Sequence, residues 1–228
     1  MAAVTGGAGA IGGAIVQALA AAGHQVEVID RAGAQAADVV DLESVDEVRA
    51  AAAAVLERHG RCDVLVHAAA AFDRITLADA DPETWRRVQA VNVEAAVWLC
   101  QALAPSMAQR GFGRIVFIVS DTVWSPPAPY PLAYVASKAA LIGVARTLAR
   151  ALGQDGITVN CVAPGLTRTP TAARDVPTEA FAHVRALQAI PRELVPDDVA
   201  SAVAFLASEA AGAITGQTIN TDGGLVLR

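Results

Sequence analysis

A doubly wound, all-parallel α/β domain is the fold class this chain predicts, and three observations carry that prediction. Short β-branched runs alternate with longer helical ones along the whole sequence, the pattern that builds a parallel sheet with right-handed crossovers. Runs such as VLVHA, RIVFIV and ITVNCV show no polar alternation, as expected of strands covered on both faces. No linker or composition shift divides the 228 residues, so residues 1–228 read as a single domain of about seven strands.

Composition narrows the function classes. With 54% hydrophobic and 18% charged residues, disorder is excluded. A formal net charge of −6 argues against a nucleic-acid partner or an anionic membrane surface. Cys62, Cys100 and Cys161 show neither a CxxC pair nor any metal-ligand spacing. A sparse, odd set of thiols suits a reducing cytoplasm, and no metal is expected. Residues 1–23 are uncharged and end in ALAAAG, which resembles a secretory signal. The first cation is Arg31 and five glycines interrupt the stretch, so neither a signal peptide nor a membrane span is expected.

The elements follow in order. Strands are expected at Ala2–Thr5, Gln25–Asp30, Ala37–Asp41, Asp63–His67, Gly113–Ser120, Ile157–Ala163 and Gln217–Thr221. Ile11–Ala22 places Ile11, Ile15, Ala18, Leu19 and Ala22 on one helical face. Ser44–His59 opens with Ser44 and has Glu47 three residues on, the capping-box signature. Glu83–Arg110, Leu132–Leu152 and Asp197–Ser208 complete the helices, with Pro82 and Pro196 at their starts. Arg31–Ala36 is too short for a crossover helix, so a single turn or an irregular connection is expected there.

The first strand runs into Thr5-Gly6-Gly7-Ala8-Gly9-Ala10-Ile11-Gly12 and then a helix. That order lets backbone N–H groups and a helix N-terminus meet a pyrophosphate. Eighteen residues beyond Gly12 the second strand ends in Asp30, where a carboxylate can accept both ribose hydroxyls of an adenosine. A carboxylate ~4 Å from a 2′-phosphate would cost roughly 4 kcal/mol per unit charge at an effective dielectric of 20, which favours NAD(H) over NADP(H). Arg31 argues the other way, because a guanidinium can receive a phosphate.

Tyr134-Val135-Ala136-Ser137-Lys138 opens a helix and sets a phenol and an ammonium on one face. A phenol must shift by ~3 units to act as a base near pH 7, and a nearby cation pushes that way. Ser120 ends the buried RIVFIV run, at the strand end where open α/β sheets bind ligands. Asn92 lies among apolar neighbours within a long helix, a position helices disfavour.

TGGAGAIG, Asp41 in VVDL, VNV around Asn92, Ser120, YVASK, Pro164-Gly165 and ITGQTINTDGG occur in that order. Together they resemble the short-chain dehydrogenase/reductase family over essentially the whole chain. The resemblance implies a Rossmann fold and hydride transfer between a carbinol carbon and a nicotinamide. It makes Tyr134 the general acid/base, with Lys138 binding the nicotinamide ribose and lowering the phenol's pKa. Ser120 would bond the substrate oxygen, and Asn92 would organise a water in a proton relay. It places Asp41 at the adenine amino group, with Leu42 also among the cofactor residues, and Leu166 and Thr167 at the nicotinamide carboxamide. Gly6, Gly9, Ala10, Ile11, Gly12, Asp30, Arg31, Ala68, Ala69, Pro164, Gly165 and Thr169 complete the cofactor set, together with Tyr134 and Lys138.

Two departures stand out. Ala10 replaces a family glycine, and the family's NNAG reads His67-Ala68-Ala69-Ala70. His67 is expected to be a strand-end histidine bonded to backbone. The tail resembles NAD-dependent phenylethanol dehydrogenases, which act on aryl ketones and alcohols. Phe72, Thr122, Trp124, Leu166 and Leu187 are expected to line an apolar pocket, under a mobile segment at about 166–191. The expected substrate is a neutral, apolar or aromatic secondary alcohol or ketone. The alternatives are an NADP-dependent 3-ketoacyl thioester reductase and a catalytically silent dinucleotide sensor. A homo-oligomer is expected from the apolar faces of the two longest helices, and the resemblance implies a tetramer, with a dimer as the alternative.

Overall fold

A computed structural model of the protein describes residues 1–31, 38–129 and 131–227. Along the chain run β1 (Ala2–Thr5), α1 (Ala10–Ala21), β2 (Val26–Asp30), β3 (Asp38–Val39), α2 (Val45–His59) and β4 (Val64–His67). Then come α3 (Pro82–Gln89), a π-helical turn (Ala90–Glu94), α4 (Ala95–Arg110), β5 (Gly113–Ile118) and α5 (Leu132–Leu152). The chain closes with β6 (Ile157–Pro164), α6 (Pro170–Asp175), α7 (Thr178–Leu187), α8 (Pro196–Ala207) and β7 (Thr218–Thr221). The connection expected to be irregular between the second and third strands falls at 32–37, outside the described residues.

All seven strands are parallel, in the order β3-β2-β1-β4-β5-β6-β7. The order reverses between β1 and β4, and at such a switch point the strand ends open into a crevice. Side-chain alternation divides the core between the two faces of the sheet. Val4, Val64, Val66, Val116 and Val162 pack with Ile15 and Leu19 of α1 and Val199, Val203 and Leu206 of α8. Leu65, Ile115, Phe117, Val159 and Cys161 pack with α2, α4 and α5 on the other face. Each such side chain, Phe117 for example, contributes about 2 kcal/mol by leaving water. The burial of whole strands explains why their sequences lack polar alternation.

Local chemistry sets the helix starts. Ser44 Oγ accepts from the Glu47 amide at 3.3 Å, which is half of the expected capping box. The other half is diverted, because the Glu47 carboxylate accepts from Asp41 N at 2.8 Å. Asp81 accepts from the Glu83 and Thr84 amides ahead of α3, with Pro82 in the first turn.

The single helix expected over Glu83–Arg110 is broken into α3, the π turn and α4. A wide turn frees carbonyls from the regular ladder and is a common mark of a functional site. Asn92 sits within it. Segment 166–191 carries α6 and α7, which the sequence pattern did not announce. α5 has the length and apolarity of a membrane span, yet Ala133, Ser137, Lys138, Leu141, Ile142, Ala145 and Ala149 are buried in the fold.

Candidate active site

The ends of β5 and β6, the segment that follows β4, and Ile11 at the start of α1 border one cavity of about 760 Å³. Ahead of α1, β1 turns at Gly6, whose φ of +70 is a conformation that side chains resist. A Cβ on Gly6 would lie 2.6 Å from Ala69 N, and one on Gly12 would lie 2.0 Å from Gly6 O. The two glycines therefore let loop, helix and β4 close to backbone contact. α1 starts behind Gly9 with no side-chain cap and no acidic residue in its first turn. Its first amides remain available to an anion, so the residues present fit a dinucleotide's pyrophosphate. Ala10, in place of a glycine, sits in that first turn.

Asp30, at the end of β2, is held from two sides. Its Oδ2 accepts from Ala8 N at 3.0 Å and its Oδ1 from Arg31 N at 2.7 Å. The carboxylate is thereby fixed beside the phosphate loop, with lone pairs remaining for ribose hydroxyls. Arg31 is exposed at the same edge. Asp41 Oδ1 accepts from Glu43 N at 3.0 Å, while Leu42 turns its side chain into the core.

The catalytic candidates converge. Lys138 is 1% exposed and donates to Ile118 O at 2.7 Å. Its Nζ lies 5.5 Å from the centre of the Tyr134 ring. Phe72 meets that ring edge-on, with centroids 4.7 Å apart. Ser120 Oγ accepts from Thr122 N at 3.2 Å and from Thr122 Oγ1 at 3.0 Å. Its own proton is left for Asp121 Oδ1, 3.3 Å away, or for a substrate oxygen. Asn92 is fully buried rather than solvated. Its Nδ2 donates to Ala71 O and Ser137 Oγ at 3.1 and 2.9 Å, and its Oδ1 accepts from Ala71 N at 2.7 Å. The Asn92 side chain thus ties the segment after β4 to α5. Ser137 Oγ in turn donates to Tyr134 O at 2.7 Å.

Burial drives the titratable groups towards their neutral forms. It lowers Lys138 from 10.5 to about 8 and raises Tyr134 from 10.0 to about 12. At Tyr134 the ring's apolar surroundings outweigh the help of its Ser120 hydrogen bond. Asp121 rises to about 7, through burial and then the charge of Asp222.

At the far end Pro164, Gly165, Leu166, Thr167 and Thr169 line the cavity. Thr167 Oγ1 donates to Gly165 O at 3.0 Å, and Thr169 caps α6 by accepting from Ala172 N at 3.0 Å. Ile11, Ala68, Phe72, Thr122 and Leu187 also reach it. Trp124 is absent from the lining. The short 3-10 turn Asp121–Val123 carries it round to pack against the larger core cluster. Sequence reasoning missed Arg74, Asp121 and His183, all of which border the cavity. Asp121 had a signal, since it directly follows Ser120. The others needed the placement of α7. His67 has a side-chain partner that the sequence did not announce: its Nδ1 pairs with the Thr5 hydroxyl at 2.9 Å, because the β1–β4 register sets those residues side by side.

Comparison with known proteins agrees with this geometry. Residues 6–226 match a family described as enoyl-(acyl carrier protein) reductase. The chain is 36% identical over 239 residues to a probable galactose dehydrogenase, GalD, of Rhizobium meliloti, covering 97% of this chain and 93% of that one. It is 40% identical over 233 residues to the 3-oxoacyl-(acyl-carrier-protein) reductase MabA of Mycobacterium bovis, covering 97% and 91%. A solved short-chain type dehydrogenase/reductase from Mycobacterium ulcerans superposes with a TM-score of 0.90 at 32% identity, covering 100% and 90%.

Proposed function

The chain belongs to the short-chain dehydrogenase/reductase family of nicotinamide-dependent oxidoreductases, and from that premise we propose that it interconverts a neutral, apolar or aromatic secondary alcohol and its ketone with NAD(H). The observation that carries the reading is the meeting of Ser120, Tyr134 and Lys138 beside the Gly6–Gly12 cradle. When bound, the nicotinamide supplies the acceptor or donor of the hydride.

The chain's own residues do the rest. Ser120 Oγ donates to the substrate oxygen, and the Tyr134 hydroxyl gives or takes that oxygen's proton. Lys138 stabilises phenolate and is itself held in place by Ile118 O. Phe72, Val184 and Leu187 offer the apolar surface that receives the substrate's side groups. The Asp30 carboxylate at the loop favours a free ribose 2′-hydroxyl over a 2′-phosphate. A homo-oligomer, formed through the remaining apolar surface of α4 and α5, and a cytoplasmic setting complete the reading.

An NADP-dependent 3-ketoacyl thioester reductase is the second reading, favoured by the 40% identity to MabA. One experiment separates the readings. Aryl and alkyl ketones, aldoses and acyl thioesters are each assayed with both nicotinamides, following the reduced cofactor's absorbance. The proposal expects turnover of ketones with NAD(H), abolished in Tyr134→Phe while NADH still binds. Thioester turnover with NADPH alone would support the second reading, and a Tyr134→Phe variant that keeps its activity would refute the proton-transfer assignment.

A further inference from the structure

His67 occupies the end of β4, where the switch point opens, and is fully buried. Its Nδ1 lies 2.9 Å from Thr5 Oγ1, at the root of the phosphate loop. That hydroxyl already accepts from Ala69 N at 3.2 Å. A hydroxyl proton given to Nδ1 puts the imidazole's own proton on Nε2. Nε2 is buried without a formed hydrogen bond among the described residues. The backbone of Val91 and Asn92 in the π turn lies near enough to the ring to favour its protonated form. Buried polar atoms in such a state ask for a reason. The opposing influences are burial and the Lys138 charge, which hold the ring neutral, at about 3.

Resting on the reading of Asn92, Tyr134 and Lys138 as the catalytic group, we propose that His67 is a positioning residue that braces the π turn against the phosphate loop. One ring nitrogen is anchored on Thr5, and the opposite N–H is directed at the carbonyl-bearing side of Val91–Asn92. The brace has consequences at the chemistry, because the Asn92 side chain fixes Ser137, and Ser137 bonds the Tyr134 backbone. Cofactor held on the loop and proton donor held on α5 are thereby kept in one frame. A ring that carried charge could not do this beside Lys138, so the neutral state is part of the role.

Two substitutions distinguish bracing from a purely local strand-end bond. The His67→Asn amide can keep the Thr5 contact but cannot reach the π turn, whereas the longer His67→Gln side chain places its amide nitrogen near the position of Nε2. Expected for His67→Asn is an unchanged NADH affinity and melting temperature with kcat lowered roughly tenfold, the scale of a small misplacement of reacting groups. His67→Gln should recover much of that loss. Wild-type kcat in His67→Asn overturns the proposal, as does a joint loss of NADH binding and stability in both variants. Nitrogen-15 NMR of the histidine rings reads the same idea without turnover: the Nε2–H tautomer should persist from neutral pH to about pH 5. An Nδ1–H tautomer or a ring that titrates in that range overturns the brace. If instead Tyr134→Phe kept its activity, the catalytic reading would fail while the tautomer measurement still decided the brace.

Discussion

Replacing Lys138 by methionine should end turnover while leaving the protein as stable as before, or more so. Burial lowers this ammonium from 10.5 to about 8, and at 1.36 kcal/mol per unit the folded protein forgoes about 3 kcal/mol at neutral pH to keep the charge. Methionine fills a similar volume but cannot donate to Ile118 O, at a cost of about 1–3 kcal/mol for the unsatisfied carbonyl. The net change at pH 7 is therefore between about 0 and +2 kcal/mol, at most a few degrees in Tm for a chain of this size. The sign across pH is more telling. A folded value below the unfolded one means that stability is full above 10.5 and declines as pH falls to 8. Lys138 is the one lysine in the sequence, so no other ammonium side chain shares this window. The three buried thiols, raised from 9.0 to about 12, slope the opposite way above pH 9. Cys62 and Cys100 are common to both proteins and cancel in the difference, whereas Cys161 titrates coupled to Lys138. Urea unfolding of wild type and Lys138→Met between pH 7 and 11 should show wild type gaining about 3 kcal/mol relative to the variant. A difference that stays flat across this range, or a variant that loses more than about 3 kcal/mol at pH 7, refutes the reasoning.

Gly12→Ala should fold but bind NADH at least ~100-fold more weakly, because its Cβ would sit 2.0 Å from Gly6 O and the backbone of the loop must move; fluorescence titration measures it, and unchanged affinity counts against the cradle. Asp121→Asn should be more stable than wild type above pH 7. The folded carboxyl titrates near 7 against 3.8 unfolded, so wild-type stability declines as pH rises through that range. Chemical denaturation at pH 5 and pH 8 tests the sign, and equal gains at both would contradict it.

The sheet was legible because buried parallel strands leave an unmistakable apolar run, and because glycines at 6, 9 and 12 have few other uses after a strand. Leu132–Leu152 matched residue for residue, since Pro131 and Gly153 bound a continuous helical pattern. Asn92 drew attention as a misfit in a helix, but the π turn that uses it has no composition of its own. α6 and α7 are short, and Phe181 is their one buried residue. Their amphipathic signal is too brief to separate from a loop. Trp124 went astray because the direction of a side chain after a strand end depends on one tight turn. The His67–Thr5 pair joins residues 62 positions apart, and only the β1–β4 register brings them together.

The titration pattern of the site also bears on direction. Tyr134 at about 12 and His67 at about 3 are both neutral at pH 7, Asp121 is near its midpoint, and Lys138 at about 8 still holds most of its charge. A neutral phenol beside a buried cation is ready to give a proton to an oxygen that is gaining negative charge, as a ketone oxygen does during reduction. Alcohol oxidation needs the reverse, and ionising Tyr134 at pH 7 lies about 5 units uphill, or roughly 7 kcal/mol. Whatever part of that gap the bound ligands close, the remainder favours oxidation at higher pH. Rates in the two directions should therefore diverge, with oxidation still rising well above pH 8 while reduction holds level or falls. Profiles of kcat against pH for one alcohol–ketone pair decide the matter. Superimposable profiles in the two directions would mean that the proton does not pass through Tyr134.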